Sequence, residues 1–301
     1  MTETEKIREL EIGACLALKQ NRLESAERFV QSMFVHARMA REDIEAADGG
    51  LIIGSLKNVM VFAVRNRREF FLKQWLMEIW RNICLIPVYE ELGSFINSVV
   101  FVVTDNKILD VLPKLQVIVK QFLRLVRFHH YPLDKFAKEW LGITAEIASR
   151  GFGEGSLFLV QCYLRMLYAS DDWQFVNGQL SSYYFHFQVA SWRHGYENAY
   201  RIFGLVHCLE VVFWERIGKM SDGVERKICK RRLLWGMLNL ICNVARVTGR
   251  TERDILTTWI RLVTANGGSR FLQRFEKLCN AELSFWKDTR PNSYQALGLE
   301  N

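Results

Sequence analysis

Leu51-Ile52-Ile53-Gly54-Ser55-Leu56-Lys57-Asn58-Val59-Met60-Val61-Phe62-Ala63-Val64 is the stretch that decides the fold class. Wound as a helix, it is apolar nearly all round. A helix of that kind is packed on both sides rather than laid on a surface. Lys57 and Asn58 interrupt it, and the next apolar run, Phe95–Val103, is too short to cross a bilayer, so neither reads as a membrane span. The run therefore asks for helices above and below it.

The flanking sequence supplies them. Upstream, Ile7, Leu10, Ala14 and Leu18 lie on one helical face. Asn21 marks a turn, and a second helix from about Leu23 to Ala40 carries a stripe of Ala26, Phe29, Val30, Met33 and Ala37. Asp48-Gly49-Gly50 is read as a break before Leu51. Downstream, Arg67–Ile83 places Phe71, Trp75 and Ile79 at steps of four. Val88–Val103 is read as helix despite the β-branched Val99–Thr104, because its flanks are helical. Asp105 is expected to cap a helix running through Pro113 to Phe128, and Pro132 to sit in the first turn of one ending near Ala148.

Gly151-Phe152-Gly153-Glu154-Gly155 is the best boundary candidate. Beyond it, helices are expected at about Ser156–Tyr168, Asp171–His194, Tyr196–Ile217, Asp222–Val247, Thr251–Ala265 and Ser269–Trp286. Ser170 or Asp171, Ser221 or Asp222, and Thr251 are the expected N-caps. The organisation is then an N-terminal helical half (1–150), a C-terminal helical half (151–290) that is basic from 216, and a loose tail (291–301), with one continuous domain over 1–290 as the alternative. The chain holds only 4 prolines, which suits long helices joined by short loops. The expected fold is all-α, with antiparallel helix pairs stacked as an α-solenoid or large helical array. Trp75 and Trp235 sit among apolar residues at helical spacing and are expected to be buried.

Leu16-Ala17-Leu18-Lys19-Gln20-Asn21-Arg22-Leu23-Glu24-Ser25-Ala26-Glu27-Arg28-Phe29 resembles the inter-helix turn of a tetratricopeptide repeat, with Ala26 and Phe29 or Val30 at the small and aromatic positions after the turn. Asn66-Arg67-Arg68-Glu69-Phe70 echoes it. The resemblance covers about one repeat, without a clean repeat period elsewhere. It implies a helical-repeat protein that binds partners on a concave face.

Composition narrows the chemistry. The 7 cysteines are scattered and mostly in apolar stretches, so they read as small buried hydrophobes in a reducing compartment. The N-terminus lacks the pattern of a signal peptide. A cytoplasmic location is the expectation. No HExxH and no cysteine pair at zinc spacing occurs, so no metal, cofactor or catalytic residue is assigned. His207 and Glu210, one turn apart, are best read as a buried polar pair between helices. His129-His130 read as a helix end, and Asp171-Asp172 and Glu90-Glu91 as helix starts. The glycines of 151–155 lack the preceding strand that a phosphate-cradling loop needs, so a linker is preferred.

Charge carries the sharpest functional signal. The chain has 40 Lys and Arg against 33 Asp and Glu, a net +7. Arg216–Arg274 alone holds 13 against 4, a local +9. Arg226, Lys227, Lys230 and Arg231 project into an arc of about 140° on a helix. Tyr184, Trp192, Arg193 and Arg201 belong to an aromatic-rich segment that reads as sandwiched core, or else as a groove stacking a peptide side chain or a base. Residues 243–259 resemble a helix-turn-helix at Val244, Ala245, Gly249 and Ile255 but not at Arg250 and Thr258. An ordinary Gly-terminated helix followed by a Thr-capped one explains the same letters and is preferred. The expected function is a non-enzymatic scaffold for a protein or peptide partner with an acidic surface. The alternative is nucleic-acid binding through 216–274, and an enzyme ranks third.

Overall fold

The computed structural model describes residues 2–43, 46–86, 88–150, 153–170, 172–193, 210, 212–265 and 273. Helix takes up 86% of them, and no strand occurs among them. In chain order the elements are α1 (Glu3–Lys19), α2 (Leu23–Asp43), α3 (Ala46–Arg65), α4 (Glu69–Ile83), α5 (Tyr89–Asp105), a 3-10 turn (Leu109–Val111), α6 (Leu112–Phe128), α7 (Asp134–Ser149), α8 (Gly153–Leu167), α9 (Trp173–Arg193), α10 (Gly223–Thr248) and α11 (Glu252–Ala265). Residues 212–218 are also helical. The chain falls into two compact units, Met1–Pro132 and Leu133–Asn301. The glycine-rich stretch at 151–155 lies inside the second, where α8 begins at Gly153. Apart from residue 273, the helix expected at Ser269–Trp286 lies outside the described residues, as does the tail from 291.

In the first unit α1, α3 and α5 pack side by side, while α2, α4 and α6 form a second row beneath them. The central α3 meets α1 on one flank, α5 on the other, and α2 and α4 below. That is why its sequence is apolar on nearly every side. Ile52, Leu56, Val59, Met60 and Ala63 are buried there. Its two polar interruptions bond outward to its neighbours: Lys57 Nζ donates to Ser94 Oγ at 3.4 Å, and Asn58 Nδ2 to Glu11 Oε1 at 2.9 Å. The upper-row helices begin at Glu3, Ala46 and Tyr89, a step of about 43 residues each time.

Each upper-row helix closes with the same turn. A residue in the left-handed region follows the helix: Asn21 (φ 59°), Arg67 (φ 55°) and Lys107 (φ 58°). The next amide reaches back five residues, Arg22 N to Ala17 O (2.8 Å), Arg68 N to Ala63 O (2.8 Å) and Ile108 N to Val103 O (3.0 Å), which is the Schellman closure. His130 (φ 53°) repeats it after α6, in keeping with the helix end read at His129-His130. Side chains then tie the pairs together. Arg68 Nε donates to Leu18 O at 2.8 Å, Trp75 Nε1 to Glu27 Oε1 at 3.0 Å, and Trp80 Nε1 to Gln121 Oε1 at 2.6 Å.

Several boundaries differ from the sequence reading. Asp48-Gly49-Gly50 does not break the chain; it lies inside α3. Gly49 is there for contact, since a Cβ on it would fall 2.6 Å from Ile86 Cγ2 and 2.8 Å from Val88 Cγ2. Asp105 ends α5 rather than capping the next helix, which starts at Leu112 with Pro113 in its first turn. Pro132 precedes α7 by two residues. The cap of α9 is Asp172, whose Oδ1 accepts from Gln174 N at 2.9 Å, one residue beyond the expected pair. Trp75 is buried, at 8% exposure, but Trp235 is half-buried.

In the second unit α8 packs on α7, α9 lies between α7 and α10, and α11 folds back on α10. Trp140 Nε1 donates to Leu159 O at 3.0 Å across the α7–α8 pair. The core between α8, α9 and residues 212–218 is aromatic: the Tyr183 ring lies 5.1 Å from Phe187 and 5.4 Å from Phe213. Below it, Tyr163 Oη donates to Gln179 Oε1 at 3.0 Å, and Gln179 Nε2 to Asp134 Oδ1 at 2.8 Å. No helix among the described residues is long and apolar enough to cross a membrane.

Candidate functional site

The start of α10 is fixed locally. Asp222 is its N-cap, with Oδ1 accepting from Val224 N at 2.7 Å and Glu225 N at 2.9 Å. The cations that follow divide by what they touch. Arg232 Nη1 donates to Asn177 Oδ1 at 2.6 Å and to Ser181 Oγ at 3.1 Å, tying α10 to α9. Lys230 Nζ sits 5.2 Å from the centre of the Trp214 ring. Arg216 donates to Ser170 O and stands 5.7 Å over the Tyr168 ring. These three knit the unit together. Lys227 and Arg231 are exposed and Arg226 is half-buried. Arg226 and Lys227 have no carboxylate partner among the described residues. The acids gather instead at the helix start, where desolvation, and then the charges of Asp222 and Asp172, hold the Glu225 carboxyl above its ordinary value.

Of the aromatic candidates, Tyr184 does not share that surface. Tyr184 is 5% exposed, and its ring lies flush on Gly236 of α10, where a Cβ would come within 2.0 Å of Cδ2. Its hydroxyl donates to Glu210 Oε1 at 3.3 Å, while Trp259 Nε1 donates to Glu210 Oε2 at 3.0 Å. Glu210 is fully enclosed, and burial pushes its carboxyl up to about 8 against the pull of those two bonds. The pair read between His207 and Glu210 thus keeps its buried carboxyl, while His207 lies outside the described residues. So do the side chains of Trp192 and Arg193, and Arg201. Spacing along one helix could not reveal Trp259 as a partner, because it comes from α11.

Residues 243–259 form a helix closed by Gly249 in the left-handed region (φ 64°), followed by one capped by Thr251, whose Oγ1 accepts from Asp254 N at 3.2 Å. Ile255 and Trp259 of α11 face inward. Arg246, Arg250, Arg253 and Arg261 are exposed along this pair. Among the described residues no three His, Cys, Asp or Glu side chains converge as a metal-binding group. Cys162 and Cys229 are buried, whereas Cys15, Cys84 and Cys242 are half-buried rather than fully enclosed; none of the five is in a disulfide. Burial raises the Cys15 thiol to about 11 and the Cys162 thiol to about 12, away from nucleophilic character.

Comparison of the chain with protein-family models, with curated proteins and with solved structures gives no match.

Proposed function

We propose that the protein is a non-enzymatic helical scaffold that captures an acidic protein or peptide partner on the cationic start of α10. The observation behind this reading is the division among the cations. Arg216, Lys230 and Arg232 spend their donors or their charge inside the unit, while Arg226 and Lys227 lack described carboxylates and stand beside the exposed Arg231. Charges left in this way steer an oppositely charged partner more than they stabilise the fold. The stacked pairs of the first unit support a helical-repeat reading of tetratricopeptide type. Ala26 is fully buried after the α1–α2 turn, and the Phe29 ring lies over Gly13, where a Cβ would meet it at 2.6 Å. The step of about 43 residues is longer than the 34 of that family and closer to other helix-pair repeats.

Nucleic-acid binding is the second reading, favoured by the exposed Arg246, Arg253 and Arg261 on the adjoining pair. One experiment separates the two. A fluorescent polyglutamate peptide and a mixed-sequence single-stranded DNA are titrated against the chain and its Arg226→Gln/Lys227→Gln variant. The scaffold reading expects slower association of polyglutamate with the variant and little change in dissociation. DNA binding at physiological salt, with a salt slope that flattens by about two counterions in the variant, would move the function to nucleic acid. Equal binding of both probes to both proteins sinks both readings.

A further inference from the structure

The first unit holds a surface that the sequence did not single out. Helix α6 carries Lys114, Lys120, Arg124 and Arg127 and no acidic residue. Its last two turns and the last turn of α4 border an open cleft of about 550 Å³. Trp80, Cys84, Leu125 and Phe128 give the cleft apolar walls, and the bond from Trp80 to Gln121 closes its floor. Arg81 and Arg124 flank it, both exposed. A smaller cavity of about 200 Å³, walled by Tyr89, His129 and Tyr131, adjoins it through Cys84 and Leu125.

Helix-end electrostatics accounts for part of this. Arg81 and Arg127 lie in last turns, where cations offset the helix dipole. It does not account for Arg124, which lies a turn earlier and has no carboxylate partner among the described residues. Among the described residues Arg81 has a surface pair with Glu78 at 3.6 Å, an interaction worth little. Nor does it explain Phe128, which at 79% is the most exposed large hydrophobic side chain among the described residues. An apolar trough beside guanidinium groups matches a ligand that is apolar at its centre and anionic at its edge.

We propose that this cleft is the docking site for a short acidic peptide segment of a partner protein. The segment seats one large apolar side chain between Trp80 and Leu125, under Phe128, and sets carboxylates on Arg81 and Arg124. The cleft is open to solvent rather than closed over, which suits a docked peptide side chain better than an enclosed small molecule. Nucleic acid fits less well, because two guanidinium groups beside an apolar floor give few phosphate contacts.

The test uses the full chain. A random linear-peptide library displayed on phage is panned against it, and a fluorescent copy of the enriched consensus is titrated against the protein and its Arg124→Glu and Arg226→Gln/Lys227→Gln variants. The expected consensus places Phe, Leu or Trp next to Asp or Glu. Affinity should fall about tenfold or more in Arg124→Glu and stay unchanged in the α10 variant, so that this proposal and the reading of α10 fail separately. In the unsubstituted protein the peptide should slow iodoacetamide labelling of Cys84 and leave Cys242 unaffected, which reads the contact even where Arg124→Glu misfolds. No enrichment, a consensus without acids, unprotected Cys84, or competition by a single-stranded oligonucleotide overturns the proposal. So does self-association of the chain that Arg124→Glu abolishes, which would make a second copy the occupant.

Discussion

Trp259 Nε1 donates to Glu210 Oε2 at 3.0 Å, in a site where the carboxyl and the indole are both at 1% exposure. Burial dominates, so the folded chain holds the Glu210 proton up to about pH 8, against an ordinary value of 4.5. The Tyr184 hydroxyl donates to Oε1 at 3.3 Å and, like the indole, pulls the value down without offsetting the burial.

The sign of the pH dependence follows. Below 4.5 both the folded and the unfolded chain hold the proton, and the site costs nothing. Between 4.5 and 8 the unfolded chain releases it and the folded chain does not, so stability falls as pH rises. Glu210→Gln mimics the protonated group and removes this slope. Denaturant unfolding of the two proteins from pH 4 to 9 should show a difference that grows in favour of Gln up to about pH 8 and then levels. A difference independent of pH would mean that Glu210 is ionised in the fold.

Gly236 lies in the middle of α10, where exchange for Ala normally stabilises a helix by about 1 kcal/mol. Here a Cβ would come within 2.0 Å of Tyr184 Cδ2 and 2.4 Å of Cγ, near the rigid root of the ring rather than at a mobile tip. Gly236→Ala should therefore destabilise, by about 1–3 kcal/mol, and weaken the bond from Tyr184 to Glu210. Thermal unfolding followed by near-ultraviolet circular dichroism reads both effects. A gain in stability would show that α9 and α10 are not in this contact.

The all-α class was legible because α3, a helix enclosed by four others, cannot hide its pattern: polar residues are missing from nearly every side. The turn at Asn21 and the helix start at Ser221 or Asp222 were legible from local chemistry. Gly49-Gly50 misled because glycine marks both a break and a close approach, and only the neighbours Ile86 and Val88 decide which. The basic segment was visible as a count, but not its division. Whether Arg232 is free or bonded to Asn177 depends on a residue 55 positions away. The cleft beside Arg124 was invisible for the same reason, since Trp80 and Phe128 meet there only because α4 and α6 are neighbours.

Three upper-row helices close on non-glycine residues in the left-handed region, a conformation that costs an L residue roughly 1–2 kcal/mol. Glycine lacks that cost but loses more freedom on folding. Lys107→Gly and Arg67→Gly should each raise the stability of the first unit by about 0.5–1 kcal/mol. Asn21→Gly should gain less, because asparagine tolerates this region better. Urea unfolding checks the order. Losses at Lys107 and Arg67 would mean that their side chains, exposed in the fold, hold the turns.

Two tyrosines should answer the same deletion with opposite signs. The Tyr89 ring stacks on Tyr131 at 4.1 Å and on Phe122 at 5.3 Å, while its hydroxyl is buried with no hydrogen-bond partner among the described residues. Burial, with Tyr131 beside it, raises the hydroxyl well above its ordinary value, as expected for a group without a bond to stabilise its anion. Tyr89→Phe keeps the stack and removes an unsatisfied polar atom, so it should be neutral or stabilising by up to about 1–2 kcal/mol. Tyr163 is fully buried, whereas Tyr89 is half-buried as a residue, and the Tyr163 hydroxyl donates to Gln179 Oε1 at 3.0 Å, in a chain that continues to Asp134. Tyr163→Phe strands that amide oxygen in the core and should cost about 1–3 kcal/mol. Because the two substitutions remove the same atom from the same kind of ring, the difference isolates the hydrogen bond. Equal losses in both variants, measured by denaturant unfolding, would mean that the Tyr89 hydroxyl has an acceptor in the fold.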